Sequence, residues 1–177
     1  MKLSETPLAG AFVIELEALE DERGFFARTF DAATFREHGL DPRVVQCSSS
    51  FNEKSGTLRG MHYQEGPDHE CKLVRCTRGT IFDVIIDLRA DSETYCRWFG
   101  IELTVDAGRE LYVPKDFAHG FQTLEDGSEV HYQMSHEYVP TKARGVRWDD
   151  PAFGIDWPGV ADRTISDKDR NYPDFWP

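Results

Sequence analysis

The sequence predicts an all-β sandwich or barrel in a single domain. Three observations carry this expectation: apolar and polar residues alternate at a period of two in successive runs, the runs are rich in Val, Ile, Phe, Tyr and Thr, and turn sequences separate them. Phe12, Ile14 and Leu16 alternate with Val13, Glu15 and Glu17, which puts one row inside and a mostly polar row outside. Residues 73–76, 81–88, 98–105, 110–113, 119–124 and 129–135 repeat the pattern. Arg78-Gly79, Asp106-Ala107-Gly108 and Glu125-Asp126-Gly127 are the turns between them. This punctuation predicts roughly eight to twelve antiparallel strands. One short helix is expected over residues 31–38, where Asp31 caps the first turn, Phe35 faces inward and Gly39 ends it in the left-handed conformation. The last forty residues change character: Trp148-Asp149-Asp150-Pro151 and Ile155-Asp156-Trp157-Pro158 set aromatic anchors between prolines that interrupt pairing, as in a tail laid over the body.

At 177 residues, 40% hydrophobic, the chain can bury one core and is too apolar for a disordered or fibrous class. Thirty-two acidic against twenty basic residues leave a net charge of -12, which argues against nucleic acid or an anionic membrane as partner. An anionic ligand then needs a pocket where cations are gathered. No apolar run is long enough for a membrane span or a signal peptide, so a soluble, cytoplasmic protein is expected. The four cysteines, at 47, 71, 76 and 96, form no CxxC pair and are expected to be reduced, packed thiols.

The densest polar segment is residues 56–64, Gly-Thr-Leu-Arg-Gly-Met-His-Tyr-Gln, followed by residues 72–76. Strand parity separates Arg59 from His62, so both reach one cavity only if the strand is bulged, which Gly56 and Gly60 permit. A second cluster, residues 112–121, uses a Pro-led turn to deliver His119 at the start of a strand. His62, His69 and His119, with Glu70 nearby, are residue types that suit a transition metal.

Seven segments in order, Asp21-Glu22-Arg23-Gly24-Phe25-Phe26, residues 56–64, 72–76, 81–84, 117–121 and 147–151, and Ser166-Asp167-Lys168-Asp169, resemble the dTDP-4-dehydrorhamnose 3,5-epimerase family, the RmlC-like group of the cupin superfamily. The resemblance implies one double-stranded jelly-roll (cupin) barrel over residues 1–177, with a short helix and a covering C-terminal tail. It also implies a homodimer in which an N-terminal strand pairs with the other subunit, and neither metal nor cofactor. Metal-binding cupins usually carry two histidines one residue apart, and residue 64 is Gln. The implied activity is epimerisation of a nucleotide-activated 4-keto-6-deoxy sugar, with dTDP-4-dehydro-6-deoxy-D-glucose as the expected substrate and dTDP-4-dehydro-L-rhamnose as the product.

By the same resemblance, His62 is the base that removes a proton acidified by the 4-keto group, and Asp169 is the carboxylate that orients it. Lys72 faces the developing enolate oxygen, and Tyr132 is the acid that returns a proton to the opposite face. Arg23, Arg59 and Lys168 match residues that hold the diphosphate; Gln46 and His119 match polar residues around the sugar and phosphates; Tyr138 matches an aromatic that stacks on the base. Arg28 stands where well-known members carry glutamate, and Ser48 where they carry asparagine, so contacts to the nucleoside and sugar are expected to differ. Inversion at C3 or C5 alone, or 3,4-ketoisomerisation, uses similar scaffolds. Two readings of another class are a metal-dependent cupin using His62, His69 and His119, and a non-catalytic sugar-nucleotide binding module.

Overall fold

The computed structural model describes residues 1–176, and its strands follow the alternating segments closely. In chain order they are β1 (Lys2–Glu5), β2 (Phe12–Glu15), β3 (Leu19–Asp21), β4 (Gly24–Phe26), β5 (Gln46–Asn52), β6 (Thr57–Gln64) and β7 (Lys72–Arg78). There follow β8 (Thr80–Asp87), β9 (Trp98–Thr104), β10 (Arg109–Val113), β11 (Phe117–Thr123), β12 (Ser128–Met134), β13 (Ala143–Gly145) and β14 (Thr164–Ile165). The helices are α1 (Ala32–Glu37) and α2 (Asp167–Arg170). Fourteen strands exceed the expected eight to twelve because short pieces in the N-terminal arm and the tail add to the main segments.

One six-stranded sheet runs β1-β2-β10-β7-β12-β5; the other runs β13-β6-β11-β8-β9, with β14 joining β6. All pairings are antiparallel except that of β14 with β6. The two sheets face each other, and Val74, Leu111 and Val130 from the first pack against Ile81, Ile85, Leu103 and Phe121 from the second. This two-layer packing follows from the period-two pattern, since each sheet must bury one apolar face.

Each outer face is also covered in part. Phe35 of α1 packs with Ile14, Leu73 and Tyr112 on the first sheet, so Phe12 and Ile14 point to the helix. Val13 packs on the core between the sheets, where a polar outward row was expected. Strand β2 therefore has both faces apolar. Asp31 accepts hydrogen bonds from the N–H groups of Ala33 and Thr34, as an N-cap does. On the second sheet, Met61, Val84 and Ile86 are covered by Val146, Phe153, Trp157 and Phe175 of the tail. The buried Asp150 fastens this tail by accepting from the N–H groups of Ala152 and Phe175.

Two further expectations need correction. The helix α2 is additional to the one foreseen; it lasts only four residues and is started by Ser166, whose hydroxyl accepts from Asp169 N–H. The four cysteines are free, with Cys71 and Cys76 buried, but Cys47 is exposed because β5 is an edge strand. Among the described residues no helix is long and apolar enough to cross a membrane.

Glu110 lies 2% exposed on β10, with Arg75 at 4.0 Å and its Oε2 without a partner among the described residues. Burial pushes its carboxyl up to about 8 against the opposing charge of Arg75. A carboxyl raised on folding holds a proton that the unfolded chain releases, so stability falls as the pH rises from about 4.5 to about 8. The expected slope is ~1.4 kcal/mol per pH unit, and Glu110→Gln should remove it. Urea unfolding across that range checks both statements.

Candidate active site

Between the two sheets lies a cavity of about 560 Å³. Its first wall is the inner face of the first sheet: Ser48 and Ser50 on β5, Lys72 on β7, and Tyr132 and Met134 on β12. Its second wall is Arg59 and His62 on β6 with His119 and Phe121 on β11, and Ser166 and Asp169 of the tail close one side. The arrangement depends on an irregularity in β6. His119 pairs with His62, but Phe121 pairs with Arg59, so two steps on β11 meet three on β6. That extra residue is a bulge, and it restores Arg59 and His62 to one face. Gly60 sits at φ +134, and a Cβ there would come 2.5 Å from the Cα of Gly120. A Cβ on Gly120 would in turn meet the carbonyl oxygen of Arg59 at 2.7 Å, so both positions need glycine.

His62 Nε2 is 2.7 Å from Asp169 Oδ1, and Gly60 N–H donates to Asp169 Oδ2 at 3.3 Å. Asp169 is 5% exposed. Burial pulls its carboxyl upward, but the hydrogen bonds from His62, Gly60 and Ser166 and the His62 charge outweigh this and hold it below the usual carboxylate range. The partner of the imidazole is thus an ionised carboxylate, fixed by three groups.

On the opposite wall, Lys72 is buried, with Nζ 2.7 Å from Oε1 of Glu70. Burial, then the charge of Asp83, raise the Tyr132 phenol well above its ordinary value, while Arg59 opposes them. Tyr132 therefore stays a protonated donor. Behind the cavity a second histidine–carboxylate pair joins His119 Nε2 to Asp83 Oδ1 at 2.7 Å. Asp83 is fully buried on β8 with Oδ2 unpartnered among the described residues; burial raises its carboxyl and the His119 contact opposes this. Arg59 donates from Nε to Oδ1 of Asn52 at 2.8 Å. An imidazole on one wall and a phenol on the facing wall can exchange protons with the two faces of a flat molecule held between them.

The family profile described as dTDP-4-dehydrorhamnose 3,5-epimerase matches residues 5–176. The dTDP-4-dehydrorhamnose 3,5-epimerase of Methanothermobacter thermautotrophicus is 48% identical over 171 residues, covering 95% of this chain and 91% of its own length. This chain belongs to the dTDP-4-dehydrorhamnose 3,5-epimerase family. Members of that family are isomerases, and the chain has their fold. The crystal structure of the enzyme from Elizabethkingia anophelis superposes with a TM-score of 0.95 at 38% identity, covering 99% of this chain and 96% of that one. A Legionella pneumophila dTDP-6-deoxy-D-glucose-3,5-epimerase, in complex with dTDP-4-keto-L-rhamnose, superposes with a TM-score of 0.90 at 35% identity, covering 95% and 89%.

In this family member the cavity brings together His62, Asp169, Tyr132, Lys72, Arg59, His119 and Ser48. It does not include the other five residues expected at the site. Gln46 and Tyr138 meet each other nearby, Tyr138 N–H donating to Gln46 Oε1 at 2.6 Å, and Tyr138 is exposed. Lys168 is exposed on α2, one residue before Asp169. Arg23 is tied to Asp21 at the tip of the β3–β4 hairpin, and Arg28 to Asp31 at 2.7 Å. His69 bonds Asp116 at a separate cavity, so His62, His69 and His119 do not converge as metal ligands. Asp83 was visible in the sequence as part of the shared segment 81–84 and Glu70 as an acid near the histidines, neither with the partner it has here; Ser50 carried no signal.

A depressed carboxyl contributes stability above its unfolded pKa and loses that contribution as the pH falls through its folded value. Asp169→Asn is thus expected to be less stable than the wild type at pH 7 by roughly 1–3 kcal/mol, the cost typical of disrupting a charged hydrogen bond. The gap should shrink on acidification below the usual carboxylate range. Denaturant unfolding of both proteins at pH 7 and pH 3 measures it.

Proposed function

We propose that this chain inverts C3 and C5 of dTDP-4-dehydro-6-deoxy-D-glucose, giving dTDP-4-dehydro-L-rhamnose. The observation that carries the reading is the opposition of His62 and Tyr132 on facing sheets, with Lys72 on the Tyr132 wall. His62 Nδ1, which makes no hydrogen bond among the described residues, takes the proton from C3 or C5, and the C–H electron pair moves into an enolate whose oxygen Lys72 stabilises. Asp169 balances the imidazolium. The Tyr132 hydroxyl then protonates the same carbon from the other face, which inverts it. Proton exchange with water resets both groups. No electron is gained or lost, so the chemistry needs no redox cofactor.

Arg59 and Lys168 are the cations of this chain that suit the diphosphate, with His119 a polar residue beside it. They also answer the repulsion set by the charge of -12. Arg23 and Arg28 lie outside this chain's cavity, on or just beyond a hairpin that pairs only with itself and exposes Leu19, Phe25 and Phe26. An apolar hairpin of this kind is poorly stable alone, which supports a homodimer in which it covers the second copy and carries Arg23 to that copy's cavity. Tyr138, exposed beside Gln46, is assigned to the nucleotide base. Four free cysteines support a reducing, cytoplasmic setting.

Proton NMR in D₂O with dTDP-4-keto-6-deoxyglucose tests the reading, and loss of both the C3 and C5 signals is expected. Loss of one alone would make the chain a single-position epimerase, and loss of neither would overturn the assignment. His62→Ala should lower exchange by ~10²–10⁴, whereas Tyr132→Phe should keep wash-out on the His62 face while losing inversion. Sedimentation should give a dimer, and Arg23→Ala should raise KM with kcat little changed, the behaviour of a residue that binds ground and transition states alike.

A further inference from the structure

We propose that Tyr172 is a positioning residue that holds the His62 imidazole against Asp169; its kinetic consequence rests on the epimerase reading, its structural one does not. Asp169 lies inside the short helix α2 and Tyr172 two residues beyond its end, and both side chains meet His62 of β6. The Tyr172 ring meets the His62 ring edge to face, with centroids 6.3 Å apart and planes at 71°.

The cross-strand neighbour of His62 on β13 is Gly145. A Cβ on Gly145 would come 2.2 Å from Cζ of Tyr172 and 2.4 Å from Cε2. The phenol ring therefore fills the space that a side chain beside His62 would occupy, as aromatic residues do over glycine in sheets. Its Oη is buried and makes no hydrogen bond among the described residues, so the ring and not the hydroxyl does the holding. Asp169 fixes His62 at Nε2, and Tyr172 blocks the swing of the ring toward β13. The nitrogen left over is Nδ1, the one assigned to the substrate.

The test uses Tyr172→Ala, Tyr172→Phe, Gly145→Ala and the Gly145→Ala/Tyr172→Ala double variant of the whole chain. Deuterium exchange into the 4-keto sugar gives kcat and KM, and the His62 ring-proton signals are followed without substrate. Tyr172→Ala should lower kcat ~10-fold with KM within about twofold, because displacement of a reacting group on the ångström scale costs rate more than binding. Phe at 172 should restore the rate. Gly145→Ala should act like Tyr172→Ala by pushing the ring aside, and the double variant should be no slower than Tyr172→Ala alone, since the added methyl then occupies vacated space. The His62 signals should move in Tyr172→Ala and return in Tyr172→Phe.

Unchanged kcat and unmoved His62 signals in Tyr172→Ala would overturn the proposal, as would losses that multiply in the double variant. Should Tyr172→Ala fail to fold, Gly145→Ala against the wild type still decides. A wild-type protein that exchanges neither proton would overturn the epimerase reading alone, because the His62 signals still report whether Tyr172 positions the ring.

Discussion

The contact of Gly60 with Gly120 sets the geometry on which the site depends. Two backbones lie closer there than any side chain allows, and β6 carries one residue more than β11 opposite it. The bulge brings Arg59 and His62 to the same inner face and turns the Gly60 N–H toward Asp169. A regular strand would send one of the two outward, under the tail, where Met61 lies among Val84, Ile86 and Phe153. The tail is tied to the same place. Its return along β6 as β14 starts α2 at Ser166 and delivers Asp169 to the imidazole.

The second constraint is charge. An acidic chain that gathers basic side chains around one cavity must hold each of them in place. Lys72 has Glu70, His119 has Asp83, His62 has Asp169, and Arg59 has the amide oxygen of Asn52. These partners aim the side chains: each fixes one side of a basic group and leaves the other toward the cavity. The net charge of -12 and a pocket suited to an anion are therefore compatible.

The two-layer architecture contributes something that no single segment contains. Proton removal on one face and return on the other need groups on opposite sides of the substrate, and a sandwich supplies two facing walls. His62 and Tyr132 belong to different sheets, seventy residues apart in sequence. The setting of each follows from its wall: His62 is backed by an ionised carboxylate, and the Tyr132 phenol is kept intact by burial and the nearby Asp83.

Alternation, turn residues and the Asp31 cap determined by themselves where β2, β7 to β12 and α1 lie, within about two residues at most ends, because these are local properties of strand and helix backbones. The segments around His62, Lys72, Tyr132 and Asp169 were likewise legible, as motifs shared with the epimerase family. Strand β5 was not, since Gln-Cys-Ser-Ser-Ser-Phe-Asn has little strand preference and is held by its pairing with β12. Nor was α2, too short for a periodic signal, or the exposure of Cys47 on that edge. Only the tertiary structure decided that Arg59 and His62 share a face, that Asp83 underlies His119, and that Arg23 and Arg28 stand apart from this chain's cavity. Each of these is a relation between residues distant in sequence, fixed by strand register and by the space left between backbones, which no local pattern encodes.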